Sequence, residues 1–229
     1  MYKFDALEII SDYQSHSIKK QKILDDLKNI IIYFNAFNSL EGNCFYFHNS
    51  LQLCPELYSK QVNLFWCGKQ AVENICEIGF NAGHSTMLML LGSEQRPLNV
   101  TIFDIGYHIY TFPCIDYIAS QFKHIGFEYI PGDSTVTMPK WIEANFNRSF
   151  GKYDVVHVDG GHTEHCISND MKNADLLVKN GGIIIIDDTN APTINKYVDL
   201  YLSNGNYREI DVLHNTVYSH RIIQKTFIE

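Results

Sequence analysis

The feature that most constrains this chain is the alternation of short apolar runs with amphipathic segments between residues 75 and 187. The apolar runs predict strands at 75–79, 99–104, 127–131, 153–159 and 182–187. Segments with helical spacing lie near 84–92, 113–125, 137–147 and 165–180, and Gly181-Gly182 is expected to end the last of them. Strands that alternate with helices predict a mostly parallel sheet with both faces covered, which is the doubly wound α/β class.

The region before these strands predicts helices. Residues 18–40 carry apolar side chains at helical spacing, and Glu41-Gly42 supplies a stop. A second helix is expected from Ser59 to about Ala71. Residues 43–58 are rich in aromatic side chains without a clear period, so they could form a lid over a site or pack against the N-terminal helices.

The C-terminal region predicts the end of the sheet. After a helix near 193–203, two β-rich runs at 207–213 and 217–227 are joined by His214-Asn215-Thr216. Strands joined by so short a connection must pair antiparallel. Together with the five parallel strands, they predict a Rossmann-like, seven-stranded sheet whose last strand is antiparallel.

Composition limits the classes of function. The 229 residues suffice for one α/β domain, so 1–58 is expected to be a helical extension of a domain at 59–229. The formal charge of −8, without any Lys/Arg block of five or more, disfavours nucleic acid as a partner. No apolar run reaches the ~18 residues of a membrane span. The six cysteines form no C-x-x-C pair, so a cytoplasmic protein with reduced core cysteines is expected, and a homo-oligomer stays open.

The turn after the first predicted strand has the pattern of a ligand-binding loop, Glu77-x-Gly79-x-x-x-Gly83-x-Ser85. In an open α/β sheet, ligands bind at the carboxyl ends of the strands. Gly79 allows a sharp turn, and Gly83 opens a helix whose amides can hold an anion. Asp104 closes the second strand, where a carboxylate can accept both ribose hydroxyls, and Gly132-Asp133-Ser134 follows the third. The glycine spacing differs from the G-x-G-x-x-G of dinucleotide folds.

These three motifs in order resemble the successive motifs of class I S-adenosylmethionine-dependent methyltransferases, which have seven strands with the last antiparallel. The resemblance spans about residues 59–227. It implies S-adenosylmethionine as the cofactor, with ribose at Asp104 and adenine at Asp133 or Ser134. The full set of cofactor contacts that it implies is Glu77, Gly79, Asn81, Gly83, Ser85, Asp104, Asp133, Ser134 and Asp159.

Carboxylates also follow the fourth and fifth predicted strands, at Asp159 and at Asp187-Asp188. If these strands are neighbours, their ends lie ~5 Å apart, and three carboxylates so close together would repel one another. A divalent cation would relieve the repulsion, and all-oxygen ligands select Mg²⁺, Mn²⁺ or Ca²⁺. Such a cation would favour loss of the proton from a hydroxyl acceptor. His162, three residues after Asp159, is the best candidate for the base.

This arrangement resembles the metal-dependent O-methyltransferase branch, which includes the catechol O-methyltransferases and the macrolide-sugar O-methyltransferases. The resemblance implies that the metal is bound by Asp159, Asp187 and Asp188. It implies catalytic roles for His162 and Asp159. The catechol enzymes have Lys at the base position and Asp-Asn after the fifth strand, so this chain is more similar to the sugar enzymes. The implied activity is O-methylation of a hydroxyl on a small or glycosidic acceptor.

Other interpretations stay open. Asp187-Asp188 could cap the next helix, and His162 and His165 could be surface residues; a zinc site at these two histidines is less favoured than either interpretation. His157, inside a predicted strand, is interpreted as a core histidine. The rival functions are methyl transfer to nitrogen or to a macromolecule, and a catalytically silent cofactor-binding module. The aromatic loop 106–113 borders the predicted cleft but does not identify an acceptor.

Overall fold

The computed structural model describes residues 5–34, 40, 44–94 and 96–226. Its centre is a sheet of seven strands: β1 (Asn74–Ile78), β2 (Asn99–Asp104), β3 (Gly126–Pro131), β4 (Tyr153–Val158), β5 (Val178–Ile186), β6 (Tyr207–Ile210) and β7 (Arg221–Lys225). Their order is β3-β2-β1-β4-β5-β7-β6. Strands β1 to β5 pair in parallel, whereas β7 is antiparallel to both of its neighbours. The predicted doubly wound sheet with an antiparallel last strand is confirmed.

Helices cover both faces of this sheet. In the described residues they are α1 (Ala6–Ser15), α2 (Ser17–Tyr33), α3 (Tyr58–Gln70), α4 (His84–Gly92), α5 (Thr111–Gln121), α6 (Ser134–Ala144), α7 (Phe146–Ser149), α8 (Glu164–Leu177) and α9 (Pro192–Ser203). Alternate strand residues face opposite layers: Val155 packs with α1 to α5, and Val156 packs with α6, α8 and α9. The N-terminal helices therefore share one core with the sheet.

The fifth strand begins earlier than predicted, and this changes the role of Gly181-Gly182. Helix α8 ends at Leu177 rather than near residue 180, because Val178 is already extended and pairs with Tyr153. Gly181 has a φ of +77°, and a Cβ on Gly182 would lie 3.0 Å from the carbonyl oxygen of Tyr153. The two glycines thus accommodate an irregularity within β5 rather than the end of a helix.

Boundaries at the two ends of the chain also differ from the predictions. Helix α1 lies before the predicted helix at 18–40, and its first turn is capped by Asp5, whose carboxylate accepts from two backbone amides. Helix α2 ends at Tyr33, and the predicted stop at Glu41-Gly42 lies outside the described residues. Residues 211–220, rather than three residues, connect β6 and β7.

The parallel strands bring the predicted site residues to one edge of the sheet. At this edge lie Gly79, Asp104, Asp159 and Asp187, which end or follow β1, β2, β4 and β5. The amide of Asp159 donates to the carbonyl of Ile78 at 2.8 Å, and the amide of Asp187 donates to that of Val158 at 2.9 Å. The loops therefore stay in register beyond the strand ends, which places their side chains side by side.

Two further features of the fold concern its cysteines and its helices. All six cysteines are free; five are buried, and only Cys166, at the start of α8, is half-buried. Across the described ranges, every helix is too short or too polar to cross a membrane.

Candidate active site

Left-handed residues shape the loop after β1. Gly79 has a φ of +87°, and a Cβ there would lie 1.9 Å from the carbonyl oxygen of Asp159. Gly83 has a φ of +78°, and a Cβ there would lie 2.3 Å from the ring of Phe80. Both positions require glycine, because neither the conformation nor the space admits a side chain. Asn81 also has a left-handed backbone conformation, and its Oδ1 accepts a hydrogen bond from the hydroxyl of Tyr110 at 2.6 Å.

Asp104 braces this loop from the end of β2. Its Oδ2 accepts from the amides of Phe80 and Asn81 at 2.7 and 2.9 Å, and its Oδ1 accepts from the amide of Gly106 at 2.7 Å. A carboxylate oxygen has two lone pairs, so Oδ1 keeps one acceptor position. Asp104, which is predicted to bind the ribose, is therefore also a structural part of the loop. It has limited capacity to accept further hydrogen bonds from a bound molecule.

Glu77 supports the loop from below. It is fully buried, and its carboxylate accepts from the hydroxyls of Ser85 and Thr86. His157 Nδ1 lies 2.9 Å from Glu77 Oε1. Burial opposes a charge on His157, but the carboxylates of Asp187 and Glu77 outweigh it and raise the pKa to about 10. His157 is a fully buried residue of β4, in agreement with its interpretation as a core histidine.

The loop after β3 is linked to α8 through a carboxylate that the sequence analysis did not identify. Exposed Asp133 caps α6 by accepting from the amide of Thr135 at 2.9 Å. Ser134 donates to Asp170 Oδ1 at 2.7 Å. Asp170 is 1% exposed, and burial raises its pKa to about 6. Its Oδ2 is buried without a hydrogen-bond partner, at the position where a Cβ on Gly160 would lie 2.7 Å away.

The three carboxylates predicted as metal ligands all reach one edge of the sheet, which we call the acidic edge (Asp159, Asp187 and Asp188). Their possible ligand atoms fall into two groups. Possible ligand atoms of His157, Asp159 and Asp187 lie within 4.8 Å of one another, and those of Asp159, His162 and Asp188 form a second such group. Asp159 belongs to both groups. Burial and the carboxylate of Asp187 raise its pKa well above the usual range.

Asp187 is paired with a buried cation that the sequence analysis missed. Lys60 Nζ, on α3, lies 2.6 Å from Asp187 Oδ2, and the two side chains are 3% and 2% exposed. The contact is an ion pair by distance, without the angles of an aligned hydrogen bond. Burial would raise the pKa of Asp187, but Lys60 and His157 outweigh it and hold the pKa well below its usual range. Residues 60–68 of α3 are all buried, so helical periodicity does not mark Lys60 as facing the site.

His162 lies at the exposed side of the same edge. Its Nε2 is 2.8 Å from Asp188 Oδ2, and its side chain is 60% exposed. The hydrogen bond to Asp188 raises the pKa of His162. His165 is exposed on α8 and belongs to neither group of possible ligand atoms among the described residues. The fold thus brings His162 to the acidic edge and does not bring His165.

A narrow pocket opens beside the acidic edge. Its lining comprises Tyr46, His48, Lys60, Asp159, Asp187, Asp188 and Tyr218. Tyr46 and His48 belong to the segment considered as a lid, in which Tyr46 pairs with Leu53 through an isolated antiparallel bridge. Residue 43 of that segment lies outside the described residues. The segment therefore forms one wall of the pocket.

Comparison with known protein families gives the class. Residues 76–189 match the family model described as a methyltransferase domain. The match begins in β1 and ends just after β5, so it contains the glycine loop and all three aspartates of the acidic edge. Together with the fold, it shows that the chain is a class I, S-adenosylmethionine-dependent methyltransferase, and the predicted enzyme class is confirmed.

Solved structures share the fold along nearly the whole chain. An O-methyltransferase from Bacillus cereus in complex with S-adenosylhomocysteine (SAH) has a TM-score of 0.54 and 15% identity, covering 90% of this chain and 91% of that chain. A methyltransferase from Geobacter sulfurreducens has a TM-score of 0.58 and 6% identity, covering 90% and 89%. A Staphylococcus aureus protein, provisionally described as a caffeoyl-CoA O-methyltransferase, has a TM-score of 0.54 and 13% identity, covering 92% and 100%. No curated protein matches significantly by sequence.

Proposed function

We propose that this methyltransferase transfers the methyl group of S-adenosylmethionine to a hydroxyl group of a small or glycosidic acceptor, with the help of a divalent cation. The observation that carries this proposal is the setting of Asp159. This half-buried carboxylate belongs to both groups of possible ligand atoms. The second group also contains His162, which is paired with Asp188. A hydroxyl acceptor must lose its proton to a base, and a cation can stabilise the negative charge that develops on its oxygen. An amine acceptor needs no metal.

The cofactor would lie across the loop after β1. Gly79 and Gly83 leave the backbone open there, and the amides at the start of α4 suit the carboxylate of the methionine moiety. Asp104 Oδ1 has an acceptor position for a ribose hydroxyl, and Asp133 or Ser134 would meet the adenine. Glu77 and Ser85 would then shape the loop rather than contact the cofactor, because both are buried and bonded to each other.

The donors at the acidic edge suit a hard cation such as Mg²⁺, Mn²⁺ or Ca²⁺. Asp159 and Asp188 offer carboxylate oxygens, which these cations prefer. The raised pKa of Asp159 reflects the cost of burying its charge, and a cation would offset that cost. When bound, the cation would lower the pKa of the acceptor hydroxyl and help to orient it. The full predicted set of Asp159, Asp187 and Asp188 stays a prediction.

His162 would remove the acceptor's proton. Its Nε2 is held by Asp188, so Nδ1 is the ring nitrogen left to accept the proton. The Asp188 carboxylate would stabilise the imidazolium that forms. Tyr46 and Tyr218 line the pocket, where half-buried Tyr218 offers an aromatic surface to the ring of an acceptor. Segment 44–57 would cover the bound acceptor as part of the N-terminal extension.

The experiment is methyl transfer from labelled S-adenosylmethionine to a panel of sugars, nucleotide sugars, phenols and amines. We expect transfer to a hydroxyl acceptor, loss of transfer in EDTA and recovery with Mg²⁺. Transfer to amines alone would contradict O-methylation, and full activity in EDTA would contradict metal assistance. Calorimetric titration with SAH and with NAD gives a separate test, since binding of NAD alone would contradict the cofactor.

A further inference from the structure

The interior of the acidic edge contains a preformed ion pair. Lys60 Nζ and Asp187 Oδ2 lie 2.6 Å apart, and both side chains are almost completely shielded from solvent. Lys60 belongs to α3, which precedes β1 and packs tightly on α4. Because Lys60 already lies beside Asp187, this carboxylate is less available to a divalent cation than Asp159 and Asp188 are.

Both oxygens of Asp187 are already in use. Oδ1 accepts from the backbone amide of Asp188 at 2.8 Å. Oδ2 faces Lys60, and His157 Nε2 lies 3.8 Å from the same oxygen. A metal ion on Oδ2 would lie within a few ångströms of the ammonium group, and the two positive charges would repel each other in a poorly solvated site.

Asp188 has a different kind of partner. His162 pairs with it at 2.8 Å, but the imidazole is 60% exposed and can rotate into solvent. A cation can therefore share Asp188 with His162, because the carboxylate has two oxygens and the exposed histidine can adjust its position. Lys60 has no such freedom, because its side chain is only 3% exposed and residues 60–68 of its helix are all buried. Displacing Lys60 from Asp187 would leave a buried ammonium without its partner, which is far more costly.

We propose that Lys60 is the permanent counter-ion of Asp187, and that the divalent cation is held by Asp159 and Asp188 alone. Asp187 is then a positioning residue, which fixes the backbone of Asp188 and anchors α3 to the site. The two remaining carboxylates match the charge of a divalent cation. This inference rests on the proposed metal-assisted function, and it narrows the predicted ligand set from three aspartates to two.

The test is Mn²⁺ titration of the full chain, with free Mn²⁺ followed by electron paramagnetic resonance. The decisive variant is the double substitution Lys60→Met with Asp187→Asn, which removes both charges of the pair at once. We expect its Kd for Mn²⁺ to stay within about threefold of wild type, whereas Asp159→Asn or Asp188→Asn should weaken binding by about tenfold or more. Lys60→Met alone should tighten binding by about tenfold, because it frees a third carboxylate.

Each outcome has a separate meaning. Binding by wild type that weakens about tenfold or more in the double variant makes Asp187 a ligand, and overturns this inference but not metal assistance. Absence of Mn²⁺ binding to wild type overturns metal assistance and this inference together. If the double variant does not fold, as judged by circular dichroism, the pair Lys60→Gln with Asp187→Asn replaces it. An anomalous difference map of wild-type crystals with Mn²⁺ decides the same point: a peak bonded to Asp187 contradicts the proposal, and a peak bonded only to Asp159 and Asp188 supports it.

Discussion

An aspartate lies at each end of β4: buried Asp154 near the amino end and half-buried Asp159 just after the carboxyl end. Their surroundings shift their pKa values in opposite directions. At the amino end, Asp154 Oδ2 accepts from the amides of Val72, Glu73 and Asn74 at 2.9, 2.6 and 2.9 Å, and Lys179 pairs with Oδ1. Burial would raise the pKa of Asp154, but these partners outweigh it and lower the pKa. At the carboxyl end, burial and Asp187 raise the pKa of Asp159.

This difference distinguishes a structural carboxylate, Asp154, from Asp159, for which we propose a function. Three backbone amides fix Asp154, and they cannot turn away without breaking the start of β1. Asp159 lies among side chains whose charges depend on one another, so its environment can change when a cation or an acceptor binds. A carboxylate that is costly to ionise without a ligand is a better candidate for binding than one that the backbone already satisfies.

The largest effect is expected at a glycine that contacts the carboxyl end of β4. Gly79→Ala would place a Cβ 1.9 Å from the carbonyl oxygen of Asp159, at a φ of +87°. We expect a loss of about 5 kcal/mol or more in the free energy of unfolding, measured by urea denaturation. The matched control is Gly151→Ala, before the amino end, where φ is +63° and the space is open. It should cost only about 1 kcal/mol, and equal losses would contradict the steric argument.

The next effect concerns catalysis at the carboxyl end. His162→Ala should lower kcat by about 10²–10⁴-fold, because it removes the proposed base, while SAH affinity stays near wild type. Single-turnover methyl transfer and calorimetry measure the two quantities. His165→Ala is the control, and it should retain activity, since His165 lies outside both groups of possible ligand atoms. Retention of activity by His162→Ala, with loss in His165→Ala, would assign the base to His165 instead.

A third substitution tests the contrast between the two aspartates directly. Asp154→Ala leaves three backbone amides without their acceptor and should lower the free energy of unfolding by about 4 kcal/mol. Asp159→Asn should leave that free energy unchanged or raise it at neutral pH, because it removes a costly charge, and should weaken Mn²⁺ binding by about tenfold or more. Urea denaturation and Mn²⁺ titration of both variants provide the comparison. A stability loss at Asp159 equal to that at Asp154 would show that both ends of β4 are structural.

The smallest effect is a pH dependence at Asp170. Its pKa is raised to about 6 in the folded protein, above the ordinary value of 3.8. The folded state therefore binds the proton more tightly, so this stabilising contribution is complete below about pH 4 and is lost as the pH rises through about 6. Relative to Asp170→Asn, wild type should lose about 2–3 kcal/mol of unfolding free energy between pH 4 and pH 7. Parallel pH profiles of the two proteins would mean that Asp170 has an ordinary pKa.

The sequence by itself determined the order of the parallel strands along the chain and the edge of the sheet at which we propose the active site. Strand patterns have a short period and helices a longer one, so local residues were enough to place β1 to β5 close to their observed positions. The glycine loop and the aspartates at 104, 159 and 187 could be placed together because parallel strands end at one edge. The irregularity at Gly181-Gly182 escaped this reasoning, since two adjacent glycines are typical of a helix end as well as of a bulged strand.

Only the tertiary structure decided how the charges are paired. Asp187 meets Lys60 across 127 positions of sequence, Glu77 meets His157 between neighbouring strands, and Asp104 uses backbone amides of a different loop. Electrostatic energy depends on distance through space and on burial, and neither quantity is written in the local pattern of residues. The sequence could therefore name the acidic residues of the site, whereas the packing of α3 against the sheet decided which of them already has a cation.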